Sequence, residues 1–206
     1  CSARAIAFYQ CFVEGECIAT NARTAEMTKL AENSCRDVQI AFANELSIIC
    51  KDLNIDVWEL ISLANRHPRI NILNPGPGVG GHCIAVDPWF IVAQNPSTAR
   101  LIHSARKVNL SKPQLVLEEI RLAESNLLVS TSEISIAFYG ATFKPDIDDT
   151  RESPALWIID KFALSSTSKI FIVDPNVDSK SFSIQNTNLV SVEESREADL
   201  HILLVG

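Results

Sequence analysis

Residues 74–88, NPGPGVGGHCIAVDP, break the chain with a segment that suits neither a helix nor a strand. Four of the seven glycines lie within six residues here: Gly76, Gly78, Gly80 and Gly81. Glycine permits positive φ and close backbone approach, whereas the interleaved prolines fix φ and lack an N–H group. Cys83 and Asp87 follow directly. A stiff, irregular loop that presents a thiol beside a carboxylate predicts a chemical site.

Composition limits the classes of protein. With 206 residues, 47% of them hydrophobic, the chain can bury a core and form one to two domains. The net charge of −7 argues against a nucleic-acid partner, and the longest apolar run is too short for a membrane span. The N-terminus does not follow the pattern of a signal peptide, and none of the six cysteines forms a CxxC pair. We therefore expect reduced thiols and a cytoplasmic location.

Apolar periodicity predicts that the first part is helical. Residues 2–12 and 22–53 show helical spacing, 16–20 could form a short strand, and Asp56 begins a capped helix over 57–65. Another helix is predicted from about residue 97 into the 120s, and Pro113 should kink or divide it.

The final third changes to an alternation of strands and helices. Strands are predicted at 133–140, 169–175, 188–192 and 200–206, with a helix at 154–164 and a short acidic helix before the last strand. Ser153 followed by a proline indicates the start of the helix. This order predicts a parallel, right-handed βαβ sheet and an α/β fold.

Each candidate residue in the loop has a structural alternative. Cys11, Cys35 and Cys50 are expected to be buried and inert, whereas Cys83 should be accessible after its glycines. His82 would point away from Cys83 if the loop were extended, so a pocket role and a structural hydrogen bond are equally open. Asp87 could be a turn residue before a proline or a general base. Neighbouring His82 and Cys83 lack a second ligand pair, so no metal site is predicted.

Charged residues outside the loop are ambiguous when taken alone. Lys29 and Asn33 lie four apart on the long helix, where a solvated face is the simpler interpretation. Lys144 and Arg151 follow a predicted parallel strand, where open α/β sheets bind ligands, and they suit a phosphate or pyrophosphate. A charged surface loop is the alternative.

Three segments together identify a family resemblance: AEMTKLAENSCRDV, PGPGVGGHCIAVDP and FKPDIDDTRESPA. They resemble the nucleotide-sugar 6-dehydrogenases, the UDP-glucose/GDP-mannose dehydrogenase family, and GGHCI followed by VDP resembles its UDP-N-acetylhexosamine branch. The resemblance implies a helical dimerisation core at 21–112 and a Rossmann-like parallel α/β UDP-binding domain, truncated, at 113–206. Residues 1–20 would be a remnant of the NAD-binding domain. This sequence lacks that domain's unit of a strand, a G-x-G-x-x-G turn and a helix, because the glycines of PGPGVGG follow no predicted strand.

The resemblance also implies a reaction. The whole enzyme would use NAD to oxidise UDP-N-acetyl-D-mannosamine at C6 to the uronic acid, for bacterial surface polysaccharides, through a cysteine thiohemiacetal and thioester. Cys83 would be the nucleophile, Lys29 would stabilise oxyanions beside Asn33, and Asp87 would assist water. Under the resemblance, this catalytic role replaces the solvated-face interpretation of Lys29.

Further roles follow from the same resemblance. Substrate contacts are implied for Arg69, which would reach across a homodimer interface, and for Gly80, Gly81, His82, Phe143 and Lys144. Arg151 would contact the NAD pyrophosphate. Alone, the chain is expected to be inactive because the main NAD site is missing.

Other functions stay open at this point. The substrate could be UDP-N-acetylglucosamine, or the chain could be a non-catalytic dimeric UDP-sugar-binding module. A cysteine hydrolase would require Cys83 to pair with His67 or His103.

Overall fold

A computed structural model describes residues 2–128, 134–178 and 184–205 and shows an α/β protein. The helices are α1 (Ser2–Tyr9), α2 (Ala22–Asp52), α3 (Val57–Ala64), α4 (Asp87–Gln94), α5 (Arg100–Leu128) and α6 (Pro154–Ala163). The strands are β1 (Ser135–Tyr139), β2 (Lys169–Val173), β3 (Thr187–Leu189) and β4 (Leu200–Leu203). The helices of these described ranges include none with the length and apolar character needed to cross a membrane.

The predicted helix starts are confirmed where a capping side chain is present. The Asp56 carboxylate accepts hydrogen bonds from the Trp58 and Glu59 amides at the start of α3. The Ser153 hydroxyl accepts one from the Leu156 amide at the start of α6. These side chains satisfy amides that have no partner inside the helix, so they fix where each helix begins.

Two predicted elements near the N-terminus differ from the structure. Helix α1 ends at Tyr9 rather than at residue 12, and none of its residues is buried. The strand predicted at 16–20 is wrong, because this segment is irregular and mostly exposed. A strand needs a neighbour for its backbone hydrogen bonds, and no described strand pairs with these residues.

Pro113 does not divide the long helix α5, which is continuous over 29 residues. Proline removes one backbone hydrogen bond from a helix. Here α5 packs against both α2 and α6, and these tertiary contacts stabilise the helix although one backbone hydrogen bond is missing.

The sheet is parallel throughout, in the order β3-β2-β1-β4, which confirms the predicted topology. Helix α6 connects the neighbouring strands β1 and β2. The core lies between sheet and helices, where Phe138 of β1 meets Phe162 of α6 with ring centroids 5.5 Å apart. Both side chains are fully buried.

The strands are shorter than predicted, and one helix is absent. The predicted strand positions 133 and 206 lie outside the described residues. The acidic helix expected before β4 is wrong, because residues 192–197 form turns. Glu194 accepts hydrogen bonds from the Ser191 amide and hydroxyl, both 2.8 Å, and the segment closes on itself after one turn.

Helix α2 buries polar and small residues, whereas its large apolar residues are exposed. Its buried residues include Asn33, Asp37 and Asn44. Its large apolar residues Met27, Phe42, Ile49 and Leu53 are all about half exposed or more. The cysteine predictions are wrong in part, since Cys50 is buried as expected but Cys35 of α2 and Cys11, in the exposed turn after α1, are exposed.

Candidate active site

The glycine-rich segment leads into a turn that carries Cys83. Residues 81–86 form turns rather than an extended loop, so the predicted opposite orientation of His82 and Cys83 loses its basis. The Cys83 carbonyl accepts a hydrogen bond from the Asp87 amide, 2.8 Å away. Asp87 is the first residue of α4 and not a loop residue. Cys83 itself is exposed and its thiol is free, as predicted.

Helix α2 contributes to the same place through Asn33. Its side-chain amide donates a hydrogen bond of 2.5 Å to Asp87 Oδ2, although 54 residues separate the two. Asn33 is almost completely buried. Lys29 lies one helical turn away on the same face of α2. Its ammonium group is exposed and lies 3.5 Å from Glu32 Oε2.

Gly80 and Gly81 allow the loop to contact the segment that follows β1. A Cβ atom on Gly80 would lie 2.7 Å from Phe143 Cβ and would also collide with the Glu152 carbonyl oxygen. Gly81 has a φ of +78°, and a Cβ there would lie 2.9 Å from the Phe143 ring. Any larger residue would force the two segments apart. These glycines are therefore required for contact between the two parts of the chain.

A second contact between the same segments involves a residue that sequence reasoning missed. His82 Nε2 lies 3.5 Å from Asp149 Oδ2, and the Asp149 carboxylate accepts two hydrogen bonds of 2.9 Å from the Arg151 guanidinium. Hydrogen bonds from the Arg151 side chain and backbone amide hold the pKa of Asp149 well below its usual range. Asp149 lies three residues after Asp146 in a run of carboxylates, so the sequence did not distinguish it from its acidic neighbours.

A cleft of about 370 Å³ lies where the loop, α2 and the segment after β1 meet. Arg36 and Ile40 line it from α2, and Phe143 and Lys144 line it from the other side. Its lining includes no aspartate or glutamate, so its two basic side chains are not neutralised within it. Arg36 was not predicted as a site residue. A signal was present, because it lies one turn after Asn33.

A larger cavity of about 680 Å³ lies on the other side of the loop. None of the predicted site residues lines it, whereas Phe143 and Lys144 line the smaller cleft. The chemistry therefore favours the smaller cleft as the ligand site.

Arg69 lies apart from these groups, in an exposed turn after α3. The Asn65 side chain closes this turn, since it accepts a hydrogen bond from the Ile72 amide (2.7 Å) and donates one to the Ile72 carbonyl (2.9 Å). This closure presents Arg69 at the tip of a short, fixed loop.

The histidines do not form a hydrolase pair with the thiol. The His103 ring packs against Trp89, and His67 Nδ1 accepts a hydrogen bond from the Arg69 amide. Over residues 2–128, 134–178 and 184–205, no hydrogen bond joins the Cys83 thiol to a histidine. The described chain likewise contains no group of three potential metal ligands.

The residues present do not fit a dinucleotide site. The sequence has no G-x-G-x-x-G motif between a strand and a helix, the arrangement that binds a pyrophosphate at a helix N-terminus. The turn after β1 contains the single glycine Gly140, and the next helix starts only at Pro154. Arg151, the residue predicted to contact NAD, is paired with Asp149 of its own segment.

Two family models match the chain. Residues 23–111 match the central domain of the UDP-glucose/GDP-mannose dehydrogenase family, and residues 137–206 match its UDP binding domain. The UDP-N-acetyl-D-mannosamine dehydrogenase of Yersinia pestis is 55% identical over 213 residues, which is 100% of this chain and 50% of that protein. The enzyme of the same name from Escherichia coli K12 is 61% identical over 181 residues, 86% of this chain and 43% of its own length.

Solved structures agree with these matches. The structure of the UDP-D-ManNAc dehydrogenase from Pyrococcus horikoshii aligns with a TM-score of 0.83 and 36% identity, over 99% of this chain and 47% of that one. The chain thus spans about half the length of the relatives it matches.

Proposed function

Because this chain belongs to the UDP-glucose/GDP-mannose dehydrogenase family, we propose that it supplies the nucleotide-sugar site and the reactive thiol of an NAD-dependent 6-dehydrogenase. The substrate we propose is UDP-N-acetyl-D-mannosamine, which the relatives' names specify for those proteins. The product is the corresponding uronic acid. The observation that carries the proposal is the position of the exposed Cys83 turn. It leads into the helix whose Asp87 is bound by Asn33, and the preceding Gly80 and Gly81 contact Phe143 of a basic cleft.

The cleft suits the diphosphate of the nucleotide. Arg36 and Lys144 approach it from opposite sides, and it has no acidic lining. Charge-assisted hydrogen bonds to phosphate are among the stronger polar contacts in proteins. Phe143 gives the same cleft an apolar wall, and its contact with Gly80 and Gly81 brings the cleft next to the cysteine turn. A sugar attached to the diphosphate would extend from the cleft toward Cys83.

Cys83 then acts on an aldehyde at C6. Its thiol adds to the carbonyl carbon, a C–S bond forms, and the proton ends on the former carbonyl oxygen as a hemithioacetal. After oxidation to a thioester, water attacks the acyl carbon, the C–S bond breaks and the thiol is restored. One hydride transfer precedes these steps and forms the aldehyde from the C6 alcohol, and a second converts the hemithioacetal to the thioester. NAD would accept both hydrides, and we assign none of the described residues to these transfers.

Asp87 is the base for the water, and Asn33 is its positioning residue. A carboxylate has about four acceptor sites, so Asp87 can hold a water while it accepts the hydrogen bond from Asn33. Lys29 is exposed on the same face of α2, and its flexible side chain can bring a positive charge to an oxyanion. The dinucleotide site lies outside this chain, so the chain alone should not produce NADH.

We also propose that the whole protein is a homodimer through α2. The half-exposed stripe of Met27, Phe42 and Ile49 is typical of a helix that packs against a partner. Arg69, presented on its closed turn, would reach the partner's site. The variant Phe42→Asp should sediment as a monomer. The control Ser111→Asp, at an exposed position of α5, should sediment as the unmodified protein does. Equal sedimentation of both variants would refute this interface.

The nucleotide site is tested by calorimetric titration of the purified chain with UDP-N-acetyl-D-mannosamine. Lys144→Met and Arg36→Met should each weaken binding by roughly 10- to 100-fold, the loss of a hydrogen bond to a charged group. The matched control is Lys107→Met, which removes the same charge from an exposed site on α5 outside the cleft. If all three variants bind as the unmodified chain does, the assigned cleft is wrong.

The thiol is tested by alkylation followed by mass spectrometry. The UDP-sugar should protect Cys83 from iodoacetamide and leave the exposed Cys11 unprotected. If saturating ligand protects neither thiol, the nucleotide binds away from Cys83. That result would refute the proposed chemistry and favour a non-catalytic binding module. Parallel titrations with UDP-N-acetyl-D-glucosamine determine which hexosamine the site prefers.

The location of the protein in the cell is the last part of the proposal. We propose a cytoplasmic location for the whole protein, which the cysteine pattern of the sequence predicts.

A further inference from the structure

The segment Pro75–Gly76–Pro77 has a single backbone donor. Neither proline carries an N–H group, so only the Gly76 amide can anchor these three residues by a backbone hydrogen bond. That amide donates to Asn44 Oδ1 of α2, 2.9 Å away. The base of the loop that leads to Cys83 is thus tied to one buried side chain.

Asn44 is itself held by a chain of buried hydrogen bonds. Its amide nitrogen donates to Asn109 Oδ1 of α5, 2.9 Å away, and Asn109 donates to Asp37 Oδ1, 2.8 Å away. Asp37 also accepts from Arg106 Nη1 at 2.5 Å. These four side chains are at most 1% exposed. Donors and acceptors follow one direction, from the Gly76 amide to the Asp37 carboxylate.

The ion pair at the far end fixes that direction. Within the described ranges, Asp37 Oδ2 and Arg106 Nε have no hydrogen-bond partner. The buried carboxylate therefore depends on the donors that reach its Oδ1 atom, which come from the Arg106 and Asn109 side chains. Burial raises the pKa of Asp37, while Arg106 and Asn109 oppose that rise. A carboxylate needs donors, which orients the Asn109 amide, and Asn109 in turn orients Asn44 with its oxygen toward Gly76.

Gly76 also lines the basic cleft, together with Arg36 and Lys144. We propose that Asn44 is a positioning residue, which sets the loop between the nucleotide cleft and Cys83 through its hydrogen bond to Gly76. Asn109 and Asp37 support it. The inference rests on the proposed function for its effect on ligand binding, but the loop anchor can be measured without any ligand.

The first experiment measures amide hydrogen exchange by NMR in the unmodified chain and in Asn44→Leu. Gly76 should exchange at least about tenfold more slowly than an unstructured amide, and Asn44→Leu should remove about tenfold of this protection. The amides of β1 and β2 should change by less than about twofold. Fast exchange of Gly76 in the unmodified chain overturns the proposal even if the variant does not fold. An equal change at Gly76 and in the sheet also overturns it, because it would indicate general destabilisation.

The second experiment adds a conservative variant and UDP as the probe. Asn44→Gln keeps both an acceptor for the Gly76 amide and a donor for Asn109 Oδ1, so it should retain more of the Gly76 protection and more of the UDP affinity than Asn44→Leu does. Asn44→Leu should weaken UDP binding by about tenfold. Unchanged UDP affinity in Asn44→Leu refutes the positioning role and leaves the proposed function standing. If the unmodified chain binds no UDP, the proposed function fails, and the exchange of Gly76 still decides the anchor.

Discussion

Gly80→Ala is the substitution whose effect the structure defines most sharply. The new methyl group would lie 2.7 Å from both Phe143 Cβ and Pro154 Cδ, and against the Glu152 carbonyl oxygen. Overpacking typically costs 1–3 kcal/mol, and a backbone oxygen cannot rotate away as a flexible side chain can. We therefore expect a loss near the upper end, about 3 kcal/mol.

The chain offers a matched control four residues earlier. A Cβ on Gly76 would have no atom within 4 Å, and its φ is not positive. Gly76→Ala keeps the amide that binds Asn44, so it should be neutral or stabilise by up to about 1 kcal/mol.

Thermal unfolding compares the two variants directly. For a chain of this size, about 3 kcal/mol corresponds to a drop in Tm of roughly 6–12 °C. Gly80→Ala should also bind UDP more weakly, because Phe143 must move away from the loop. If Gly80→Ala and Gly76→Ala unfold within about 1 °C of each other, the loop and the segment after β1 do not make the close contact described.

Three further predictions concern the sheet and its helices. Phe162→Ala should lower the free energy of unfolding by about 3–5 kcal/mol, whereas Leu164→Ala, at an exposed site, should change it by less than about 0.5 kcal/mol, as urea denaturation can show. Ser153→Ala should cost about 1 kcal/mol in the same assay through loss of a helix cap. Hydrogen bonds from the Ser135 amide and hydroxyl lower the pKa of Asp199, so its stabilisation should be present above about pH 4 and be lost as the pH falls through its folded-state pKa. Asp199→Asn should therefore flatten the dependence of Tm on pH in that range.

The sequence predicted correctly those helices and strands whose formation depends on residues that are near each other in the chain. The capped helix starts at Asp56 and Ser153 and the parallel order of the strands followed from side-chain type and spacing. The failed predictions depended on distant partners. Residues 16–20 have strand-like composition but no strand beside them, and Pro113 lies in a helix that its packing on α2 and α6 keeps continuous.

The residues of the candidate site also differ in how far they could be predicted from nearby sequence. Cys83 and Asp87 are near in sequence, and their arrangement in a turn with α4 is local. Asp149 and Arg36 could not be distinguished from surface charges, because their importance depends on His82 and on a cleft built from segments about a hundred residues apart. A carboxylate in an acidic run has no sequence property that indicates which histidine it will face.

Helix α2 shows why periodicity predicts a helix more reliably than it predicts the buried face. Its apolar residues recur at helical spacing, yet within the chain the helix buries Asn33, Asp37 and Asn44. The two faces serve different contacts. The polar face contacts Asp87, Asn109 and the loop amide, so it needs groups that donate and accept hydrogen bonds. The apolar face is then available for a partner subunit. A helix shared between an internal polar site and an external apolar surface would give this inverted pattern, and the Phe42→Asp and Asn44→Leu variants test the two faces separately.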